Sequence, residues 1–157
     1  GFAIAETMLA ARFNRPGYPV ADHFVYAFCG DGCMMEGITS EAASLAGTLK
    51  LGKLIVFYDA NKISIDGCTD ITFTDDIQKR YESYGWQVLS GSMYSWSDID
   101  FCVNTAKATT DKPTLIILKS VIGKGAPKEG TADVHGAPLG EEGCVEAKKK
   151  LARSMTE

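Results

Sequence analysis

Histidine is scarce in this chain, with two residues in 157, and positive charge is outweighed by negative, 16 lysines and arginines against 20 acidic residues. The resulting net charge of -4 argues against broad attraction to nucleic acid or to an anionic membrane surface. An anion site here needs its own local donors. No apolar run approaches the roughly 20 residues that a membrane-spanning helix requires. No signal peptide is visible either, because residues 1–13 carry Glu6 and Arg12 and read as an amphipathic helix. Internal repeats and low-complexity tracts are missing. The five cysteines (Cys29, Cys33, Cys68, Cys102, Cys144) are odd in number and scattered. That argues against a disulfide framework and suits a reducing cytoplasm. Cys29 and Cys33 have no second close pair, which argues against zinc, and Cys29 reads as a buried strand residue.

What the chain does have is material for a core. Hydrophobic residues make up 45% of it and charged ones 23%, which suits one ordered domain of ordinary size. The first residue is Gly1 and the sequence opens inside a helical pattern, so the expectation is a piece of a longer protein. Residues 23–29 (HFVYAFC) are aromatic and β-branched and predict a strand. Residues 36–50 predict a helix with Ala42, Leu45, Ala46 and Leu49 as its apolar stripe and Gly52 as its stop. Residues 53–59 (KLIVFYD) and 114–120 (TLIILKS) are near-continuous apolar runs, the pattern of strands buried on both faces. Residues 75–84 predict a short helix and 86–89 a strand, and Ser95 or Ser97 is placed to cap a helix reaching about residue 108. Residues 121–140 read as a loop rich in Gly and Pro, and 141–153 as a terminal helix with a basic exposed face. Helices alternating with buried strands predict an α/β fold, a parallel sheet flanked by helices on both faces.

In such sheets ligands bind beyond the carboxyl ends of the strands. Gly30, Asp31 and Gly32 lie at one such end, and Ala60, Asn61 and Lys62 at another. Neighbouring strand ends would bring Asp31 and Asn61 close. One offers a charged oxygen and the other an amide oxygen, both hard donors suited to Mg²⁺ or Ca²⁺. Mg²⁺ prefers an octahedron of oxygens, so a backbone carbonyl, water and an anionic ligand must complete the shell. A diphosphate supplies such oxygens. On this reading Gly30 permits a sharp turn and Gly32 lets a phosphate approach the backbone. The helix beginning near Glu36 adds unpaired N–H groups. Gly-Asp-Gly is also common in plain turns, and the tripeptide alone leaves both readings open.

Asn61 follows Asp31 by thirty positions, with strand–helix–strand signals around them. That resembles the thiamine-diphosphate motif, in which Gly-Asp-Gly is followed by an Asn at about this distance. The segments GDGCMMEGITSEAASLAGTLKLGKLIVFYDANKISIDG, FTDD, YGW, DKPTLIILKSVIGKGAP and HGAPLG resemble the transketolase family in order and spacing, over nearly the whole chain. The resemblance implies that residues 1–157 are a single, partial diphosphate-binding domain, without the family's pyrimidine-binding and C-terminal domains. It implies thiamine diphosphate as cofactor, with Mg²⁺ or Ca²⁺ beside it. By position, Asp31, the Asn61 side chain and the Ile63 backbone carbonyl would ligate the metal, and the Gly32 backbone would contact the diphosphate. Glu36 would lie near the dimer interface and help organise the carboxylate that activates the cofactor. His135 would be an active-site histidine near the diphosphate and the donor substrate.

The complete enzyme so implied transfers a two-carbon ketol unit between sugar phosphates. It would be a cytoplasmic enzyme of the pentose phosphate pathway, working as a homodimer or with a complementary chain. The family's earlier histidines and the glutamate that activates the thiamine ring are not in these residues, so this chain is expected to be inactive alone. Asp133 and Val134 also depart from the commoner family text before the histidine.

Plainer alternatives stand beside each role. Glu36 suits a helix N-terminus by charge alone. A lone histidine in a polar loop usually faces solvent, and His23, outside any motif, reads as structural. Met34 and Met35 read as packing or interface residues. Lys124 is placed either to meet a phosphate or to be solvated, and the basic run 148–150 reads as a wet helix face. For the chain as a whole, the alternatives are another thiamine-diphosphate enzyme or a non-catalytic scaffold or interaction subunit. A domain cut from a dimer exposes an apolar face, so association with itself or with a missing partner is expected.

Overall fold

The apolar runs become the strands of one parallel sheet. The computed structural model describes residues 1–154, with side chains as far as Leu151. In chain order the elements are α1 (Phe2–Phe13), β1 (Val25–Gly30), α2 (Asp31–Met35), α3 (Gly37–Thr48), β2 (Leu54–Ala60), β3 (Ile63–Ser64), β4 (Gly67–Cys68), α4 (Ile77–Ser83), β5 (Gln87–Ser92), α5 (Trp96–Ala108), β6 (Thr114–Lys119) and α6 (Gly140–Ser154). The sheet order is β1-β2-β6-β5, all parallel, with Gly30 opposite Asp59 and Tyr58 opposite both Cys29 and Ile117. The two central strands, β2 and β6, come from the two most apolar runs. Ile55, Leu115 and Ile116 are fully buried there, and each such side chain contributes about 1.5–3 kcal/mol by leaving water.

Alternation along the strands assigns the two faces. One face carries Ile55, Ile116 and Leu118, and α5 packs on it through Cys102 and Ala106. The other presents Val25, Ala27 and Leu54 to α1 and α3 around an apolar groove of about 260 Å³. The sheet is thus flanked by helices on both faces, the predicted α/β architecture. Among the described residues its β1 edge pairs with a strand on one side only. That strand (VYAFCG) holds neither a charge nor a proline, and Phe28 stacks on Phe57 at 5.0 Å while remaining 79% exposed. Among the described residues no helix is long and apolar enough to cross a membrane.

Helix ends follow local chemistry. Ser95, one of the two predicted caps, accepts the Asp98 N–H at 3.2 Å and starts α5. Asp76 does the same for α4 through the Lys79 N–H. The helix expected over residues 36–50 differs from the observed one. Helical structure begins at Asp31, breaks at Glu36 and resumes as α3. Of its expected apolar stripe only Ala46 is buried, with Ala43 beside it; Ala42, Leu45 and Leu49 are exposed, the two leucines by about half. The buried side is set by close approach, because the Trp86 indole N–H donates to the Ala43 carbonyl at 2.8 Å and Gly47 lies against the Tyr84 carbonyl. Gly52 does not stop the helix, which ends at Thr48. A Cβ on Gly52 would overlap the Thr110 carbonyl, so this glycine is needed for close packing. At the opposite end of the strands from Asp31, Lys53 joins the buried Glu6 of α1 at 2.7 Å and Asp22 at 2.6 Å.

The fold divides into two compact units. The first is Gly1–Ala60 with Asp75–Lys119, and the second is Asn61–Thr74 with the segment beginning at Ser120. The first unit holds the whole parallel sheet. The second holds the antiparallel hairpin β3–β4, the glycine-rich segment and α6. Glu129 organises that segment, accepting the Gly125 N–H and the Lys150 ammonium, each at 2.6 Å.

Candidate functional site

Asp31 opens α2 immediately after β1, at the carboxyl end of the strand. Gly30 before it has φ -112° and ψ -173°, extended backbone that any residue adopts. The chain does turn from β1 straight into α2 here, but its conformation does not require a glycine. A Cβ built on Gly30 or on Gly32 would meet nothing within 4 Å. Neither backbone conformation nor packing calls for glycine at these two positions. What the bare backbone provides is room for a ligand to approach the main chain.

A helix of five residues is too short to be stable alone, and α2 is held at both ends. At its start the Tyr58 hydroxyl donates to Asp31 Oδ1 at 2.6 Å, with Tyr58 6% and Asp31 4% exposed. At its end Met34 is completely buried, its sulfur accepting the Tyr81 hydroxyl at 3.4 Å. Of the readings open for Met34, packing is the one observed. The Arg80 guanidinium adds a clamp. Nη1 donates to the Met34 carbonyl at 3.1 Å and pairs with Asp75 at 3.2 Å, while Nη2 donates to Ser40 Oγ at 2.7 Å. One side chain of α4 thereby ties α2 to α3. Glu36 is exposed in the break between these helices. Its carbonyl accepts the Thr39 N–H at 3.1 Å, and the Thr39 hydroxyl donates to the Cys33 carbonyl at 2.6 Å.

Two neutral groups at this turn are held in their protonated forms. Burial first, and then the neighbouring Cys33, Asp31 and Asp59, push the Cys29 thiol up to about 12. Burial, followed by the bond to Asp31, likewise pushes the Tyr58 hydroxyl upward, so it stays protonated as a donor.

In the second unit, the Asn61 amide oxygen accepts the Ile63 N–H at 2.9 Å, closing an Asx turn over Lys62, whose φ is +63°. The Lys62 carbonyl accepts the Thr69 N–H at 3.0 Å. In an antiparallel ladder the next pair, Ile63 with Cys68, is then the non-hydrogen-bonded kind. The Ile63 N–H and carbonyl therefore face away from β4. His135 is exposed, following the 3₁₀ turn Ala132–Val134, and its N–H donates to the Ala132 carbonyl at 2.9 Å. Asp133 pairs with Lys128 at 2.8 Å.

Asp31, Gly32 and Glu36 thus belong to the first unit, and Asn61, Ile63 and His135 to the second. Among the described residues no three of His, Cys, Asp and Glu gather into a metal-binding group. The expected donor set is of another kind, one carboxylate, one amide oxygen and one backbone carbonyl. All are hard oxygens that suit Mg²⁺ or Ca²⁺ beside a diphosphate. Tyr58 and Arg80 were not anticipated from the sequence. The available signal for Tyr58 was a lone phenol inside an otherwise apolar run, since a buried tyrosine usually finds a polar partner.

The family model for "Transketolase, thiamine diphosphate binding domain" matches residues 1–156. The transketolase of Treponema pallidum is 64% identical over 152 residues, which is 96% of this chain and 23% of that protein. Transketolase 1 of Escherichia coli is 55% identical over 153 residues, again 96% and 23%. Among solved structures, transketolase from Leishmania mexicana superposes with a TM-score of 0.93 at 49% identity, covering 96% of this chain and 23% of that one. Transketolase from Pichia stipitis, in complex with sedoheptulose-7-phosphate, superposes with a TM-score of 0.91 at 47% identity, covering 94% and 22%. The chain spans about a quarter of the length of these relatives. With its sheet, its glycine-flanked aspartate and a family match from end to end, this chain belongs to the transketolase family, as a thiamine-diphosphate-binding domain.

Proposed function

We propose that this chain holds the diphosphate end of thiamine diphosphate and its divalent cation, Mg²⁺ or Ca²⁺. The observation that carries the proposal is Gly32, a residue without a side chain where neither φ nor packing requires it, one position after a buried carboxylate. Asp31 is the charged ligand of the ion, and the main chain at Gly32 receives the diphosphate. The Asn61 side chain, on the strength of the motif spacing, and the Ile63 carbonyl, by its position in the family's pattern, are the further protein ligands. Residues 1–157 act as a single, partial domain in this role.

In the complete enzyme the bound cofactor supplies an electron sink for transfer of a two-carbon ketol unit between sugar phosphates. His135 meets the diphosphate and donor-substrate end of the site. Glu36, exposed at the start of α3, contributes to the dimer interface and orders the carboxylate that activates the cofactor. The working enzyme is a cytoplasmic homodimer of the pentose phosphate pathway, and this chain alone is inactive. Titrating thiamine diphosphate into the protein that carries this chain, with and without Mg²⁺, tests the core of the proposal. A metal-dependent binding signal that disappears in Asp31→Ala is expected. Equal binding with and without the ion, or in the variant, would reject it.

A further inference from the structure

Asp31 is a buried carboxylate whose first hydrogen-bond donor is a phenol. Tyr58 sits on β2, in register with Cys29 of β1 on one side and Ile117 of β6 on the other. Its ring is therefore fixed by a central strand of the sheet, not by a loop. The hydroxyl reaches Asp31 Oδ1 at 2.6 Å, a short, charge-assisted bond between two buried groups. A carboxylate turns freely about its last bond unless something holds one oxygen. Here Oδ1 is held from the sheet side, which restricts how the carboxylate can turn.

We infer that Tyr58 is a positioning residue for the divalent cation, orienting the Asp31 carboxylate through Oδ1 so that its other oxygen is presented in one fixed direction. The inference rests on the proposed role of Asp31 as a ligand. Donors behind a metal ligand orient it, and removing one weakens metal binding by roughly 10–100-fold. A merely structural bond would lower the stability of the metal-free protein and leave the ion's affinity alone.

The test uses the full protein that carries this chain, with Mn²⁺ as the probe of the divalent site and thiamine diphosphate present. Free Mn²⁺ is read by electron paramagnetic resonance for the wild type, Tyr58→Phe, Asp31→Asn and the double variant. Tyr58→Phe keeps the ring and removes only the donor. Its Mn²⁺ dissociation constant should rise about 10–100-fold, and the double variant should bind no more weakly than Asp31→Asn alone. The rise in melting temperature on adding Mn²⁺, which subtracts any loss in the metal-free protein, should shrink in parallel. p-Aminophenylalanine in place of Tyr58 restores a donor and should recover most of the affinity. Mn²⁺ affinity within twofold of wild type in Tyr58→Phe, while Asp31→Asn loses the ion, overturns the inference. So does a Tyr58→Phe loss that persists in full on the Asp31→Asn background. If Asp31→Asn itself keeps wild-type affinity, it is the assignment of Asp31 as a ligand that fails.

Discussion

Replacing Gly32 by alanine separates a glycine kept for a ligand from one kept for the fold. The position lies inside α2, has no positive φ and has nothing within 4 Å of an added Cβ. A methyl group there should therefore help the apoprotein, because alanine loses less backbone freedom than glycine on folding. The gain is about 0.5 kcal/mol, the lower end of the usual range, since the helix has only five residues. The same methyl group stands where the main chain would receive the diphosphate. Forcing one methyl into an occupied space costs about 1–3 kcal/mol, which is roughly a 5–150-fold loss of affinity. The assay is calorimetric titration of thiamine diphosphate at saturating Mg²⁺, paired with denaturant unfolding of the apoprotein. Stability should hold or rise while affinity falls. An affinity within twofold of wild type at unchanged stability would refute the reasoning, because the open space would then not be the ligand's. A fall in both quantities would also refute it, since the methyl would have disturbed the turn itself.

Two further outcomes concern the scaffold beneath the site. Gly47→Ala places a Cβ 1.8 Å from the Tyr84 carbonyl oxygen, so unfolding experiments should show a loss of at least about 1–3 kcal/mol; an unchanged midpoint would mean α3 can slide away from the end of α4 that it packs on. Lys53→Met strands the Glu6 carboxylate, 3% exposed, and should cost about 3 kcal/mol near pH 7. Bonds to Asp22 and then Glu6 hold the Lys53 ammonium above its ordinary 10.5, and the bond to Lys53 holds Asp22 below its ordinary 3.8. The wild-type advantage is thus fully present between those two values. It should shrink below pH 3.8 as Asp22 takes up a proton and above 10.5 as Lys53 loses one. A gap that is the same at both extremes would assign it to packing of the lysine stem.

The sheet was legible because β2 and β6 are apolar almost without interruption, and only a doubly covered strand tolerates that. The serine that caps α5 was legible because its hydroxyl acts on a backbone N–H three residues away, a purely local matter. The elements that escaped depend on partners distant in sequence. The break at Glu36 is stabilised by the Thr39 hydroxyl and by Arg80, which reaches α2 from α4. The buried side of α3 is chosen by Trp86 and Tyr84, so a stripe counted along α3 alone placed Leu45 and Leu49 inside when they are not. The hairpin β3–β4 has two residues per strand, too few for any periodicity to register. At the site, the Gly-Asp-Gly motif drew attention to Asp31 and Gly32, which the fold places as a buried acid beside bare backbone. It could not reveal Tyr58, because alternation says which face a residue takes and nothing about where a phenol's oxygen ends.

The outer strand of the sheet has a practical side. Among the described residues no strand pairs with the outer flank of β1, the strand holds no lysine or proline to blunt it, and Phe28 lies open beside it. Such a margin templates any other extended chain it meets. Produced by itself, this span is expected to associate edge to edge through β1.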